Sequence, residues 1–352
     1  MAAVATSPRR LNLVSLFLWL LGGGLILIAA WGAFLTLTAG RYSLANWQSF
    51  ILSGIALGSV YALVALGYTL VYGILFMINF AHGEVFMFGT FTALFAARYL
   101  NDAGMIQSQP WVAFLLVILV AMLVSMTVAV LLERIAYRPL RNAPRLVPLI
   151  TAIGASLFLQ YTARGFYGSG VNAYPEFPQL QGSISVLGFA VRTDQLLVIV
   201  AALALMAGLY LFVERTRTGR AMRAVSEDKD VAAMMGIDVN RVIQITFAIG
   251  GLLAGVAGVL YVQLFNQVIF IMGFLPGIKA FTAAVLGGIG NIVGAMLGGL
   301  ALGLLEAVAP YLLLEGYGVA SPNQLKDAIA FTVLVLVLIF RPAGFLGRKE
   351  HV

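Results

Sequence analysis

Long apolar runs, separated by short polar segments, cover most of the chain. They fall at residues 11–37, 48–76, 83–100, 111–132, 147–167, 195–213, 242–264, 277–290, 291–314 and 326–340. Most reach the ~20 residues a helix needs to cross a hydrocarbon core. The apolar positions fill each run rather than forming a stripe or alternating, which predicts membrane helices rather than amphipathic helices or strands. The pattern therefore predicts an all-α polytopic membrane protein with about ten transmembrane helices. Two stretches, 74–84 and 265–290, interrupt it and predict discontinuous helices. The first carries Asn79, His82 and Glu84 between apolar segments; the second carries Gly273-Phe274-Leu275-Pro276-Gly277-Ile278-Lys279. Backbone breaks at bilayer depth survive only where protein or a water-filled cavity covers them. A faint internal similarity links two helix–break–glycine-rich-helix patterns, with breaks ending at Asn79 and Asn291.

The run 11–37 follows Arg9 and Arg10 and shows no clear small-residue cleavage site, so it predicts a retained signal anchor rather than a removed signal peptide. Glycines recur every four residues at Gly54/Gly58, Gly251/Gly255, Gly290/Gly294/Gly298 and Gly299/Gly303. Such spacing lets helix backbones approach closely, within one chain or between subunits.

Composition agrees with the pattern. The 352 residues are 61% apolar and 10% charged, with mean hydropathy +0.99, against ~25% charged for soluble domains. That excludes a soluble enzyme, a disordered chain and a nucleic-acid binder. The net charge of +7 reflects topology. With the N-terminus inside, inner loops collect 15 of the 21 Lys and Arg: Arg9, Arg10, Arg134, Arg138, Arg141, Arg145, Arg215, Arg217, Arg220, Arg223, Lys229, Arg241, Arg341, Arg348 and Lys349. This bias fixes orientation with both termini cytoplasmic. It also requires 277–290 to cross, as one helix or two half-helices, because a re-entrant loop there would turn the last three basic residues outward. The chain has no Cys, and its only histidines are His82 and His351. Disulfides and thiolate metal sites are excluded, and a histidine-based metal centre nearly so.

The longest inner loop, 214–241, has a basic front and then Ser226, Glu227, Asp228 and Asp230. Ser226 fits a helix N-cap with acids in the first turn. Val231, Met234 and Met235 give that short helix an apolar side, and Gly236 stops it. The loop's carboxylates, including Asp238, disfavour an anionic lipid surface, so docking of Met anchors into a partner's groove is the favoured reading over lying on the bilayer. None of the four lysines follows a glycine, so the chain lacks a phosphate-cradling loop and any ATP is hydrolysed elsewhere. Glu84, Lys279, Glu306 and Arg164 are the ionisable residues within spans, where such groups default to functional hypotheses. Asn79, His82, Glu84 and Lys279 are the substrate-pathway candidates. For Glu84 three readings stand: a cavity-lining polar group, a helix-start cap, and a proton relay with His82. Lys279 is open to meeting a substrate carboxylate or snorkelling. No catalytic constellation stands out.

These residues resemble a known family. Ser53-Gly54-Ile55-Ala56-Leu57-Gly58-Ser59-Val60-Tyr61-Ala62-Leu63, followed by Met77-Ile78-Asn79-Phe80-Ala81-His82-Gly83-Glu84, is similar to the LivH-type permease of branched-chain amino acid ABC transporters. Residues 133–141, 219–237, 279–290 and 326–344 agree with it. The resemblance runs from about residue 47 to 349, which makes 47–349 the permease domain. Residues 1–46 become an N-terminal extension with an extra transmembrane helix. It implies a LivM-type second permease, LivG- and LivF-type ATPase subunits that hold ATP and Mg, a periplasmic substrate-binding protein, and a location in the cell inner (cytoplasmic) membrane among lipid. It makes 226–237 the coupling helix, with Ser226, Glu227, Asp228, Met234, Met235 and Gly236 meeting an ATPase. This chain itself needs no cofactor. The alternatives are a urea or short-amide permease and, from another class, a proton-coupled secondary carrier.

Overall fold

A computed structural model describes residues 13–347 except Asn142, Arg145, Leu187, Gly188 and Pro342. Arg9, Arg10, Arg348, Lys349 and His351 therefore lie outside the described residues, as does Arg145. The described residues are 81% helical. Its helices are α1 (Leu13–Ala39), α2 (Leu44–Leu75), α3 (His82–Asp102), α4 (Met105–Ser108), α5 (Pro110–Leu132), α6 (Leu146–Tyr167), α7 (Thr193–Arg215), α8 (Arg217–Glu227), α9 (Lys229–Met234), α10 (Val239–Phe265), α11 (Phe274–Gly287), α12 (Ile292–Leu314) and α13 (Lys326–Phe340). Among the described residues four short strands form two antiparallel pairs. β1 (Asn172–Ala173) pairs with β4 (Gln267–Val268), and β2 (Ser183–Val186) pairs with β3 (Phe189–Arg192).

Among the described residues eight helices are long and apolar enough to span a membrane, which makes the protein multi-pass. The other two sequence-predicted spans are α3 and α11. α3 has 21 residues but carries His82, Glu84, Arg98, Asn101 and Asp102. α11 has only 14 residues, roughly 21 Å at 1.5 Å per residue, short of a ~30 Å hydrocarbon core. The chain still crosses there, in two parts: an irregular segment from Asn266 to Gly273, then α11.

Contacts sort the helix ends into two sets. At one end Lys229 lies over Phe76, Arg141 bonds Asn240, and Asn291 bonds the Leu346 carbonyl. At the other end Arg98 bonds Asn172, Gln195 bonds Ser53, and Tyr42, Trp47, Phe50 and Tyr311 form an aromatic cluster. The second end carries the 168–192 loop and its strands.

α2 is the hub, buried along most of its length between α12, α10 and α11. It runs antiparallel to α12 through a glycine seam. A Cβ on Gly58 would lie 2.9 Å from the Gly299 oxygen and the Leu300 Cα, and one on Gly54 2.9 Å from the Leu304 Cα. Gly251 and Gly255 play the same part against α5, each 2.8 or 2.9 Å from a backbone Cα of Met126 or Met122 by the same measure. The glycine spacing thus serves packing within the chain. α1 lies on the rim. The Tyr317 hydroxyl donates to the Ile28 carbonyl at 2.7 Å, the Gly316 N–H donates to Thr36 Oγ1 at 2.8 Å, and Gly22 faces the Phe340 ring.

Overpacking this seam is destabilising by about 1–3 kcal/mol even where neighbours can move, and here the neighbour is backbone. Gly303→Val, aimed at the Gly58 backbone, is expected to lose the thermal unfolding transition in detergent. Gly208→Val, which faces open space, is expected to keep it.

Candidate functional site

Both chain breaks begin in the same way. Phe76 ends α2 with φ 53° and ψ 31°, and Asn266 ends α10 with φ 53° and ψ 24°. These two are the positive-φ residues other than glycine among the described residues. A left-handed residue halts a helix and redirects the chain, and here each sends it back into the bundle. α2 and α10 run in opposite directions, so the two returns approach from opposite ends. The structural counterpart of the first break is therefore 266–273, not the turn before Asn291.

The two returns meet. Gly83, in the first turn of α3, abuts Gly273 and Gly277 at the start of α11. A Cβ at Gly83 would strike the Gly273 carbonyl and lie 3.1 Å from the Gly277 Cα. His82 lies against Gly67 of α2 and Gly250 of α10. Gly67 is eight residues from the end of α2, roughly 12 Å inside the bundle. Two helix N-termini, each with unsatisfied N–H groups and a positive dipole end, thus face one another at membrane depth.

Three of the four pathway candidates gather here. Asn79 is buried and accepts from the Tyr137 hydroxyl at 2.6 Å. Tyr137 closes a five-residue π-helical turn, Glu133–Tyr137, at the end of α5; such turns concentrate at functional sites. His82 packs edge-on to Tyr68, ring centroids 4.9 Å apart, and its Nε2 has no hydrogen-bond partner. Glu84 is 1% exposed. Its Oε1 accepts from the Ser156 hydroxyl of α6 at 3.3 Å, while Oε2 has no partner. His82 and Glu84 share no hydrogen bond. They point to different neighbours, as positions two apart on a helix must.

Lys279 stands apart, joined to residues that sequence spacing could not reveal. Its Nζ lies 2.7 Å from Glu306 Oε1 of α12 and 2.6 Å from Asp327 Oδ1 of α13. The Tyr61 hydroxyl donates to Glu306 Oε2 at 3.0 Å, and Lys326 Nζ is 3.7 Å from Oε1. Four helices are tied through this one cluster. Pro310, one turn beyond Glu306, lacks the N–H that would bond the Glu306 carbonyl.

The segment between α7 and α10 departs from its sequence reading. Ser226 caps nothing: it lies in the last turn of α8, with its hydroxyl donating to the Arg223 carbonyl at 2.7 Å. Instead Thr216 caps α8, accepting from the Gly219 N–H, and Asp228 caps α9, accepting from Asp230 and Val231 N–H at 2.8 and 3.0 Å. The predicted helix thus starts from Asp228 rather than Ser226, an equally good cap two residues further on, and the basic stretch before it forms a helix of its own, α8. Gly236, at φ 83°, ends α9 in a Schellman motif. Its N–H bonds Ala233, and the Ile237 N–H bonds Ala232. Met234 and Met235 are 78% and 79% exposed, and Glu227 and Asp228 are also exposed. Lys229 of α9 lies 5.9 Å from the centre of the Phe76 ring. Burial and the nearby Arg141 hold its ammonium below the usual lysine range. Arg141 also pairs with the fully buried Glu133 and bonds Asn240 at 2.5 Å.

Among the described residues no group of three or more His, Asp and Glu is placed to hold a metal ion. Discontinuous helices that meet at membrane depth are common in polytopic transport proteins. The family described as branched-chain amino acid transport system, permease component, matches residues 50–338, and the chain belongs to it. The permease protein BraD of the high-affinity branched-chain amino acid transport system of Pseudomonas aeruginosa is 45% identical over 303 residues, 85% of this chain and 95% of that protein. LivH of Salmonella typhimurium, from the same type of system, is 42% identical over 301 residues, 85% of this chain and 94% of that one. Among solved structures, PsaBC from Streptococcus pneumoniae in complex with Fab covers 88% of this chain and 96% of its own, at 13% identity and TM-score 0.44. The matched segment starts after α1. These relatives are transport permeases, which accords with a non-enzymatic subunit.

Removing one member of a buried ion pair costs about 3–5 kcal/mol, whereas replacing both can be neutral. Lys279→Met is therefore expected to lower thermal stability in detergent sharply. Adding Glu306→Leu and Asp327→Asn to it is expected to recover most of the loss. Equal stability of the single variant and the unsubstituted chain contradicts the ion-pair reading.

Proposed function

We propose that this chain is the transmembrane permease subunit of an ATP-driven importer that takes branched-chain amino acids into the cytoplasm by alternating access. ATP and Mg are held by separate ATPase subunits, of the LivG and LivF types. A LivM-type permease completes the membrane pair, and a periplasmic binding protein delivers the substrate. The observation that carries this reading is the contact between the arm and the break: Lys229 of α9 sits on Phe76, the residue at which α2 turns back into the bundle.

The arm is built to transmit a push. The α7–α8 elbow is tight, because Gly219 lies directly on the Val213 and Phe212 carbonyls. Arg223 locks the elbow, bonding the Val213 carbonyl at 2.5 Å and pairing with Glu214 at 3.0 Å. Val231, Met234 and Met235 are exposed, an apolar tip flanked by Glu227, Asp228 and Asp230. Met is adaptable in a groove, and the carboxylates keep the tip off an anionic lipid surface. Displacement of α9 by an ATPase groove bears on Phe76, and from there on the short link through Asn79 to His82 and Glu84.

Charge sets the orientation. Of the described Lys and Arg, ten lie at the end that carries the arm: Arg134, Arg138, Arg141, Arg215, Arg217, Arg220, Arg223, Lys229, Arg241 and Arg341. Five, Arg41, Arg98, Arg164, Arg192 and Lys326, lie at the other, and Lys279 is buried. By the positive-inside rule this excess supports an arm and termini that face the cytoplasm, in keeping with an importer of the inner membrane. Asn79, His82 and Glu84 are the substrate-pathway residues closest to the break, and Lys279 steadies α11 beside them.

In cells that express the complete transporter, Glu227→Lys, and separately the pair Met234→Asp with Met235→Asp, are expected to abolish leucine uptake. The permease should remain inserted and the ATPases should no longer copurify with it. Normal uptake in both variants sinks the docking assignment. Uptake of urea without leucine by the unsubstituted transporter would replace the substrate, and leucine uptake with no ATPase present would replace the importer by a carrier.

A further inference from the structure

The end of α5 is built irregularly. The α-helix gives way to the π-helical turn Glu133–Tyr137 and then to a 3₁₀ turn, Arg138–Leu140. A π turn is wide and a 3₁₀ turn tight, and such departures from α geometry mark hinges and functional sites. Side chains on this segment bond in two directions. Toward the arm, Arg141 Nη1 donates to Asn240 Oδ1 at 2.5 Å, in the first turn of α10, just after α9 and its stop at Gly236. Arg141 Nη2 pairs with Glu133, which is fully buried. Toward the bundle, the fully buried Tyr137 donates its hydroxyl to Asn79 Oδ1 at 2.6 Å, and its ring centre lies 5.7 Å from that of Phe247 in α10. Asn79 stands three residues after Phe76 in the first break, and its carbonyl accepts from the His82 N–H at 3.1 Å where α3 begins. Asn240, Arg141, Glu133, the π turn, Tyr137 and Asn79 are thus joined in series, each by a bond to the next.

From this we infer that Arg141 and Tyr137 are positioning residues of the transport cycle, forming a second line from the arm to the first break. This line reaches the break at Asn79, whereas Lys229 meets it at Phe76, so the arm holds both ends of the link between α2 and α3. Strength favours the second line. A cation–π contact with the ammonium 5.9 Å from the ring centre is soft, whereas charge-assisted hydrogen bonds are about twice as strong as neutral ones and fix direction. A buried carboxylate parts from its cation only at a large penalty, so Glu133 follows when Arg141 moves. Displacement of the α9–α10 corner therefore rotates the π turn. Tyr137 carries that rotation to Asn79 and to the start of α3, at His82 and Glu84. The inference rests on the import reading above and adds to it the residues that tie the arm to the far end of the break.

Asn240→Ala removes the exposed end of the line, and Tyr137→Phe removes only the hydroxyl at its buried end. Two measurements on the complete transporter read them. Hydrogen–deuterium exchange over residues 77–83 is expected to speed up about fivefold in each variant, the loss of one net hydrogen bond. In proteoliposomes with the binding protein, leucine taken up per ATP hydrolysed is expected to fall about fivefold in each, with the rate of ATP hydrolysis unchanged. The double variant is expected to match the single ones, because both cut one line; independent effects would multiply to about 25-fold. Thr127→Ala, which takes one hydroxyl from the exposed face of α5 outside the line, should change neither reading. Unaltered exchange at 77–83 in Asn240→Ala overturns the line. So do losses that multiply in the double variant, and so does a fall of uptake and hydrolysis in proportion, which marks a merely structural role. If Tyr137→Phe does not assemble, the exchange reading of Asn240→Ala decides alone. Absence of leucine uptake by the unsubstituted transporter refutes the import reading instead, and the exchange measurement still decides the line.

Discussion

Gly83, Gly273 and Gly277 hold two chain segments backbone to backbone at a depth where there is no bulk water to satisfy a free N–H or carbonyl. In a membrane every such group needs a partner within the protein. The fold meets that demand by starting two helices from opposite directions at one point, so that each break is short and covered by the other. The α2 hub, the glycine seam with α12 and the packing of α10 on α5 keep that point fixed. A methyl group on Gly83 would strike the Gly273 carbonyl, so the junction has no room for any larger residue.

Around this junction charge is placed in two contrasting ways. Lys279 is ion-paired with Glu306 and Asp327, and Tyr61 bonds Glu306, which suits a strut holding α11 to α12 and α13. Glu84, buried in the first turn of α3, keeps one oxygen without a hydrogen-bond partner. The path from the arm to the first break is short. Lys229 touches Phe76, Phe76 opens the break, Asn79 is tied to Tyr137 on the end of α5, and Glu84 follows within one turn of α3. α9 therefore touches the chain at the point where the α2 hub ends and the first break begins.

Much of this was legible in the chain. Apolar runs marked the helices because a span must be apolar on most sides, and the polar residues from Asn79 to Glu84 marked a break because nothing else excuses them at that depth. The Gly236 stop was readable from a single residue, since a left-handed helix end favours glycine. What stayed hidden was long-range or degenerate. Lys279 finds Glu306 and Asp327 on helices far along the sequence, and no spacing announces that pairing. Ser226 and Asp228 are chemically equivalent caps, and only the packed elbow at Gly219 decides in favour of Asp228. The second break was read too broadly because Phe274 to Gly287 is apolar enough to pass for part of a full span. Only the fold shows how far the return from Asn266 extends, and that Tyr137 anchors Asn79.

The most direct test of the junction is the thermal stability and ATP-driven leucine uptake of Gly83→Ala, compared with Gly73→Ala. A Cβ at Gly73 would have its nearest neighbour, the Gly290 Cα, 3.9 Å away, so this variant is expected to match the unsubstituted protein in both measurements. Gly83→Ala forces two backbones apart and is expected to lower the unfolding temperature and to eliminate uptake. Normal stability and uptake in Gly83→Ala would contradict the account of two helix starts meeting in backbone contact.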